Sequence, residues 1–185
     1  MRILETVLSA FGLVLCLPLL LFSILAIRLN SPGAAIFRQT RVGREQQPFV
    51  LYKLRTMSTG TVQAGTHEVS AASVTAVGKF LRATKLDELP QLWNVVKGEM
   101  SLVGPRPCLP VQVELVEERE KRGVFAILPG ITGLAQVEGI DMSDPVKLAE
   151  RDSDYVGDKS FALDLRILLA TVTGKGNGDR IRKES

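Results

Sequence analysis

The sequence is poor in the side chains that most often carry chemistry. Its 185 residues hold one histidine, His67, and two cysteines, Cys16 and Cys108. His67 has neither a second histidine nor a cysteine nearby, which argues against a His/Cys metal centre and against a histidine base. Cys16 lies in an apolar run and Cys108 in a polar segment, so a structural disulfide is not expected and a reducing compartment is. Aromatic residues make up only 5% and the net charge is only +3. With no helix-turn-helix or RNA-binding signature besides, nucleic acid is not an expected partner. Disorder is excluded by the 45% hydrophobic content. The length suits one domain with a real core.

Charge is missing altogether from residues 7–27, "VLSAFGLVLCLPLLLFSILAI". As a straight helix this run would reach about 31 Å, enough for a bilayer core of about 30 Å. It is long for a signal peptide, and the Arg28-Leu29-Asn30 that follows offers no small-residue cleavage site. Pro18 sits near its middle, where it removes an N–H and crowds the preceding turn. The residues alone leave two topologies open, a kinked span and a re-entrant hairpin of two half-helices. The positive-inside rule puts Arg28, Arg38, Arg41 and Arg44 on the cytoplasmic side and leaves the N-terminus, with Arg2 and Glu5, undecided.

Beyond this run, residues 33–57 read as two strands around a polar turn at 43–47. In the second strand Phe49, Leu51, Lys53 and Arg55 alternate onto one face, so the two cations are expected side by side. Residues 58–73, which include His67, read as a polar surface loop. Residues 74–85 have helical apolar spacing at Val74, Val77, Phe80 and Leu81, with Lys79 and Arg82 on other faces. Such a basic amphipathic helix suits either a lipid headgroup surface or the core. "VQVELVEEREKRG" reads as a charge-rich helix with a solvated face, closed by Gly123. "LPGITGLAQV" reads as a glycine turn leading into a short strand. "FALDLRILLATVT" is a further apolar element, and 176–185 a disordered basic tail.

The most informative stretch is "KLDELPQLWNVVKGEMSLVGPRP", residues 85–107. Pro90 suits the first turn of a helix, which would make Asp87 its N-cap and set Glu88 against the positive end of the helix. A second reading gives the pair chemistry. Lys79, Arg82 and Lys85 precede it, and Arg106 follows between two prolines that stiffen the backbone on both sides. A guanidinium held in that way can bind a phosphate bidentately. A carboxylate that attacks phosphate needs such neutralisation, from arginines, a metal or helix N–H groups. Adjacent carboxylates divide that labour, one as nucleophile and one as a hard oxygen ligand for Mg²⁺.

With "IFRQTRVG", "FVLYKLRTM", "LPGITGLAQV" and "DSDYV" followed by "LDLRI", this stretch resembles the monotopic phosphoglycosyl transferases. This bacterial sugar transferase family begins lipid-linked glycan assembly. The resemblance implies transfer of a phosphosugar from a UDP-sugar to polyprenyl (undecaprenyl) phosphate, with release of UMP. It implies Asp87 as the nucleophile that forms a covalent phosphosugar intermediate, and Glu88 as its Mg²⁺-binding partner. Arg82 and Arg106 match arginines that hold substrate phosphate. Lys53 and Arg55, on the basic strand, and Gln136 complete the implied substrate-binding set. It also implies a membrane helix over 1–30, re-entrant and broken at Pro18, in the cytoplasmic leaflet of the bacterial inner membrane. A cytosolic catalytic domain follows over 31–175, an α/β (α+β) unit that is mostly helical, with a short strand hairpin and interfacial amphipathic helices.

The chain departs from the family pattern at Leu17, where serine is usual before the proline, and at Leu134, where tryptophan is common. Glu138 and Ile140 stand where an amide and a cation are frequent. These departures bear on the sugar and leave the carboxylate pair untouched. A homodimer is permitted by the apolar helix faces and not required. The rival reading from another class is a catalytically silent membrane scaffold for glycan-assembly partners, which would need no Asp87–Glu88–Arg106 set.

Overall fold

A computed structural model of the chain describes residues 2–59 and 73–174. His67 and the basic tail lie outside the described residues. The charge-free run forms most of one helix, α1 (Arg2–Asn30), long and apolar enough to cross a membrane. A helix satisfies its own backbone hydrogen bonds, as an apolar surrounding requires. The helix runs through Pro18, so the expected break is not an interruption of helical structure. Pro18 lies on the exposed side of α1, while the opposite seam of Ser9, Leu20, Ser23 and Ile27 is buried.

That seam packs against the rest of the chain along nearly its whole length. Near the start, Arg2 Nη2 donates to the Gly98 carbonyl at 3.4 Å and Glu5 accepts from Ser101 Oγ at 2.8 Å. At the other end Leu20 and Ile27 join Ala35, Leu54 and Leu81 in one cluster, with Leu13, Ile24, Leu86 and Leu89 packed on it. The outward side, including Phe11, Val14, Leu15, Leu21 and Phe22, is apolar and exposed.

The expected hairpin is present. Strands β1 (Ile36–Val42) and β2 (Pro48–Leu54) pair antiparallel, from Ile36 opposite Leu54 to Val42 opposite Pro48. Phe49 and Leu51 point inward to Val95 and Met100, while Val50 is exposed, as period-two alternation requires. Helix α2 (Ala76–Ala83) is capped by Thr75, whose side chain accepts from the Gly78 amide at 2.9 Å. Of the expected apolar face Val74 and Leu81 are buried, but Phe80 is 61% exposed. In a helix of eight residues the 77-78-81 stripe faces inward, and position 80 falls outside it.

Helix α3 (Gln91–Lys97) leads to β3 (Ser101–Val103). This strand pairs in parallel with β4 (Gly130–Thr132) across a connection that contains α4 (Val113–Lys121). The chain closes with α5 (Leu134–Val137), α6 (Pro145–Asp158) and α7 (Phe161–Val172). The strand expected in "LPGITGLAQV" is thus confined to Gly130–Thr132, and "LAQV" is helical. The solvated face expected of α4 is present at Glu114, Glu117, Glu120 and Lys121, while Leu115 and, unexpectedly, Arg119 are buried on the opposite side. The domain is a mostly helical α+β unit with two short strand pairs.

Candidate active site

The carboxylate pair owes its place to a local turn. Lys85 adopts a left-handed conformation (φ 57°, ψ 16°) after α2, and a single 3-10 turn follows at Leu86–Glu88. Asp87 is therefore inside a turn and is not the N-cap of α3; Pro90 occupies that position, with no capping side chain. Leu86 and Leu89, on either side of the pair, pack toward α1. Asp87 itself is only 7% exposed.

Glu88 is the electrostatic centre. Its Oε1 accepts from Lys53 Nζ at 3.1 Å and from both Nη atoms of Arg106 at 3.2 Å. All three side chains are between 12% and 16% exposed. Two cations thus meet at the carboxylate next in sequence to Asp87, an arrangement suited to a phosphate-bearing ligand.

The other expected cations behave differently. Arg82 is anchored by Nε, which donates to Thr56 Oγ1 at 2.9 Å, while its Nη1 is buried without a hydrogen-bond partner among the described residues. The helix can approach Thr56 only because position 78 is glycine, where a Cβ would lie 2.0 Å from the Thr56 carbonyl oxygen. Arg55 does not stand beside Lys53. β2 ends at Leu54, and Arg55 turns to the α1–β1 connection, donating to the Pro32 carbonyl at 2.5 Å and the Ser31 carbonyl at 2.7 Å. Gln136 sits on α5, its Oε1 buried and without a partner among the described residues.

Arg106 depends on the strap 105–108, whose four carbonyls each accept from a different donor. Gly130 N reaches the Pro105 carbonyl at 2.9 Å and Val42 N the Cys108 carbonyl at 3.0 Å. Arg119 Nη1 reaches the Arg106 carbonyl at 2.8 Å, and Arg41 Nη1 the Pro107 carbonyl at 3.0 Å. The approach of β4 to the strap excludes any side chain at Gly130, where a Cβ would lie 2.1 Å from the Gly104 nitrogen.

Arg119 and its partner were not singled out from sequence. Arg119 is 1% exposed and Asp152 2%, and Asp152 Oδ2 accepts from Arg119 Nε at 3.0 Å and Nη2 at 2.6 Å. Burial pushes the Asp152 carboxyl up from its ordinary value, and the Arg119 charge and hydrogen bonds oppose that shift. Tyr155 was also missed as an individual residue. Its buried hydroxyl donates to Asp164 Oδ1 at 2.6 Å and lies 3.2 Å from the Val103 carbonyl, tying α6 and α7 to β3. Burial first, and then the bond to Asp164, hold this phenol well above its usual range. The signal was available in "DSDYV" and "LDLRI", but nothing in their spacing shows which of their polar residues turn inward.

These elements bring adjacent carboxylates and cations together on a domain packed against one apolar helix. The bacterial sugar transferase family model matches residues 1–176. A UDP-glucose:undecaprenyl-phosphate glucose-1-phosphate transferase of Caulobacter vibrioides is 43% identical over 180 residues, covering 92% of this chain and 67% of the relative. The exopolysaccharide production protein PSS of Rhizobium leguminosarum bv. phaseoli is 39% identical over 186 residues, with 90% of each chain covered. A UDP-N-acetylgalactosamine-undecaprenyl-phosphate N-acetylgalactosaminephosphotransferase of Aeromonas hydrophila is 38% identical over 165 residues, 84% of this chain and 38% of the relative. The chain belongs to the bacterial sugar transferase family.

Proposed function

We propose that this protein transfers a sugar phosphate from a UDP-sugar to undecaprenyl phosphate through a covalent intermediate on Asp87. The observation that carries the proposal is that buried Asp87 directly precedes Glu88, whose carboxylate holds Lys53 and Arg106, on a turn whose flanking leucines pack on α1. A water-soluble donor and a lipid acceptor can both reach such a site at a membrane boundary. Relatives named for transfer to undecaprenyl phosphate support the same reaction class. Their names include glucose and N-acetylgalactosamine, so the sugar is a property of each chain.

In the first step an Asp87 carboxylate oxygen attacks the sugar-bearing phosphorus, and the bond to the bridging oxygen breaks with departure of UMP. In the second an oxygen of undecaprenyl phosphate attacks the same phosphorus and expels the Asp87 carboxylate, giving undecaprenyl-diphosphate-sugar. Arg106 and Lys53 offset charge on the transferring phosphoryl in both steps. The partnerless Nη1 of Arg82 supplies a further donor.

Among the described residues no three His, Cys, Asp or Glu side chains group as a metal cage. The donor chemistry nonetheless fits Mg²⁺, which is commonly held by one or two carboxylates with water and substrate phosphates. Glu88 would hold it beside Asp87, and the ion supplies charge neutralisation when bound.

We further read α1 as re-entrant, with both ends at the cytoplasmic face. Contacts of Arg2 and Glu5 at one end, and of Ile27 at the other, with the same domain support that reading.

The test is a UMP-release assay in lipid particles with a panel of UDP-sugars, Mg²⁺ and undecaprenyl phosphate. Release is expected with at least one donor, as is an Asp87 adduct detected by mass spectrometry when the acceptor is omitted. Product formation that persists at wild-type rate in Asp87→Asn would remove Asp87 from the mechanism.

A further inference from the structure

We infer that Arg119, held by Asp152, is a positioning residue that fixes the Arg106 guanidinium against Glu88. The inference rests on the transferase reading for its kinetic consequence and on geometry for everything else. A buried ion pair is a weak source of stability, since apolar residues of similar volume often do as well or better. Arg119 and Asp152 are almost completely buried, so their presence in the core needs a reason besides cohesion. The third donor group of the arginine gives that reason. While Nε and Nη2 are occupied by Asp152 Oδ2, Nη1 is left pointing at the Arg106 carbonyl, 2.8 Å away.

A guanidinium is suited to this double task because its donors lie in a rigid planar fork. Asp152 sets the fork, and the fork sets the backbone of residue 106. Arg41 secures the next carbonyl from the β1 side, with its Nη2 in turn held by Gln39 Oε1 at 2.7 Å. Pro105 and Pro107 restrict φ on both sides. The backbone of residue 106 is thus fixed from several directions, while its side chain is aimed at Glu88. A displacement of about 1 Å at a catalytic group costs roughly 100-fold in rate, which sets the size of the effect expected when the grip is released.

The test pairs Arg119→Met with Asp152→Leu, which removes both charges together and leaves no buried ion alone. In lipid nanodiscs this double variant is expected to fold and bind UDP-sugar with a KM within about threefold of wild type, while kcat falls about 10–100-fold. The loss should disappear in an Arg106→Ala background, because a residue that acts only through Arg106 has nothing left to position. A merely structural role predicts that the two losses multiply. The Arg106 Nε–H signal in ¹⁵N NMR is expected to change from ordered to averaged, and this readout needs no turnover. If the double variant does not fold, Arg119→Lys takes its place, since an ammonium reaches Asp152 or the Arg106 carbonyl but cannot form the fork to both. Unchanged kcat, multiplying losses, or an Arg106 signal that stays ordered would each overturn the inference. A wild-type protein that releases no UMP would sink the transferase reading instead and leave the NMR comparison to decide this one.

Discussion

At the scale of single residues, the site is a problem of charge compensation, and Glu88 is where it is solved. Its Oε1 takes three hydrogen bonds from two cations in a pocket where each side chain keeps at most 16% of its exposure. Replacing Glu88 with glutamine removes the negative charge that Lys53 and Arg106 share. Breaking a buried pair costs about 3–5 kcal/mol; at this partly exposed site about 2 kcal/mol is expected. For a chain of this size that corresponds to a melting temperature lowered by about 4–8 °C, readable by a thermal melt without substrate. On the proposed mechanism, turnover should fall as well. A Glu88→Gln protein as stable as wild type would mean that the cations are satisfied elsewhere. The carboxylates, Arg82 and Arg106 could be picked out in the sequence because adjacent acids and a Pro-Arg-Pro unit are local patterns. Arg119 could not, because its partner lies 33 residues away and a charge-rich helix usually faces water.

At the scale of elements, backbone proximity decides which substitutions the fold accepts. β4 lies so close to residue 104 that a Cβ at Gly130 would meet the Gly104 nitrogen at 2.1 Å and the Thr132 carbonyl oxygen at 2.6 Å. Neither atom can swing aside as a side chain end could, so Gly130→Ala should separate β3 from β4 and cost about 3 kcal/mol or more. Gly157, inside α6, has nothing within 4 Å of its would-be Cβ. Gly157→Ala should therefore stabilise the protein by about 0.5–1 kcal/mol through the better helix propensity of alanine. Denaturation of the two variants side by side checks both signs. The hairpin was legible because strand alternation and a polar turn are short-range signals. The end of β2 was not. It separates Lys53, which meets Glu88, from Arg55, which grips Ser31 and Pro32. Likewise, Pro90 announced a helix start, but only the left-handed Lys85 shows that a separate turn holds Asp87 ahead of it.

At the scale of the whole molecule, α1 raises a geometric question that its composition leaves open. Its 29 residues correspond to about 43 Å of straight helix, more than the bilayer core of about 30 Å. A transmembrane path would carry Arg2 and Glu5 to the far side of the membrane. There they could not keep their bonds to Gly98 and Ser101 while Ile27 stays packed on Leu54 and Leu81. A domain confined to one face of the membrane could not hold both ends of a span. Pro18 gives a helix that enters and returns a natural place to bend, since the Val14 carbonyl lacks its usual N–H donor. Cysteines introduced at Ile3 and Leu29, which are 84% and 80% exposed, distinguish the paths in a Cys16→Ser background, with buried Cys108 left in place. In intact cells a membrane-impermeant maleimide is expected to label neither position, and after permeabilisation both. Labelling of residue 3 alone in intact cells would establish a span. The Arg2 and Glu5 contacts could not then exist in the membrane, and the reaction site would hang from the bilayer by the C-terminal end of α1 alone.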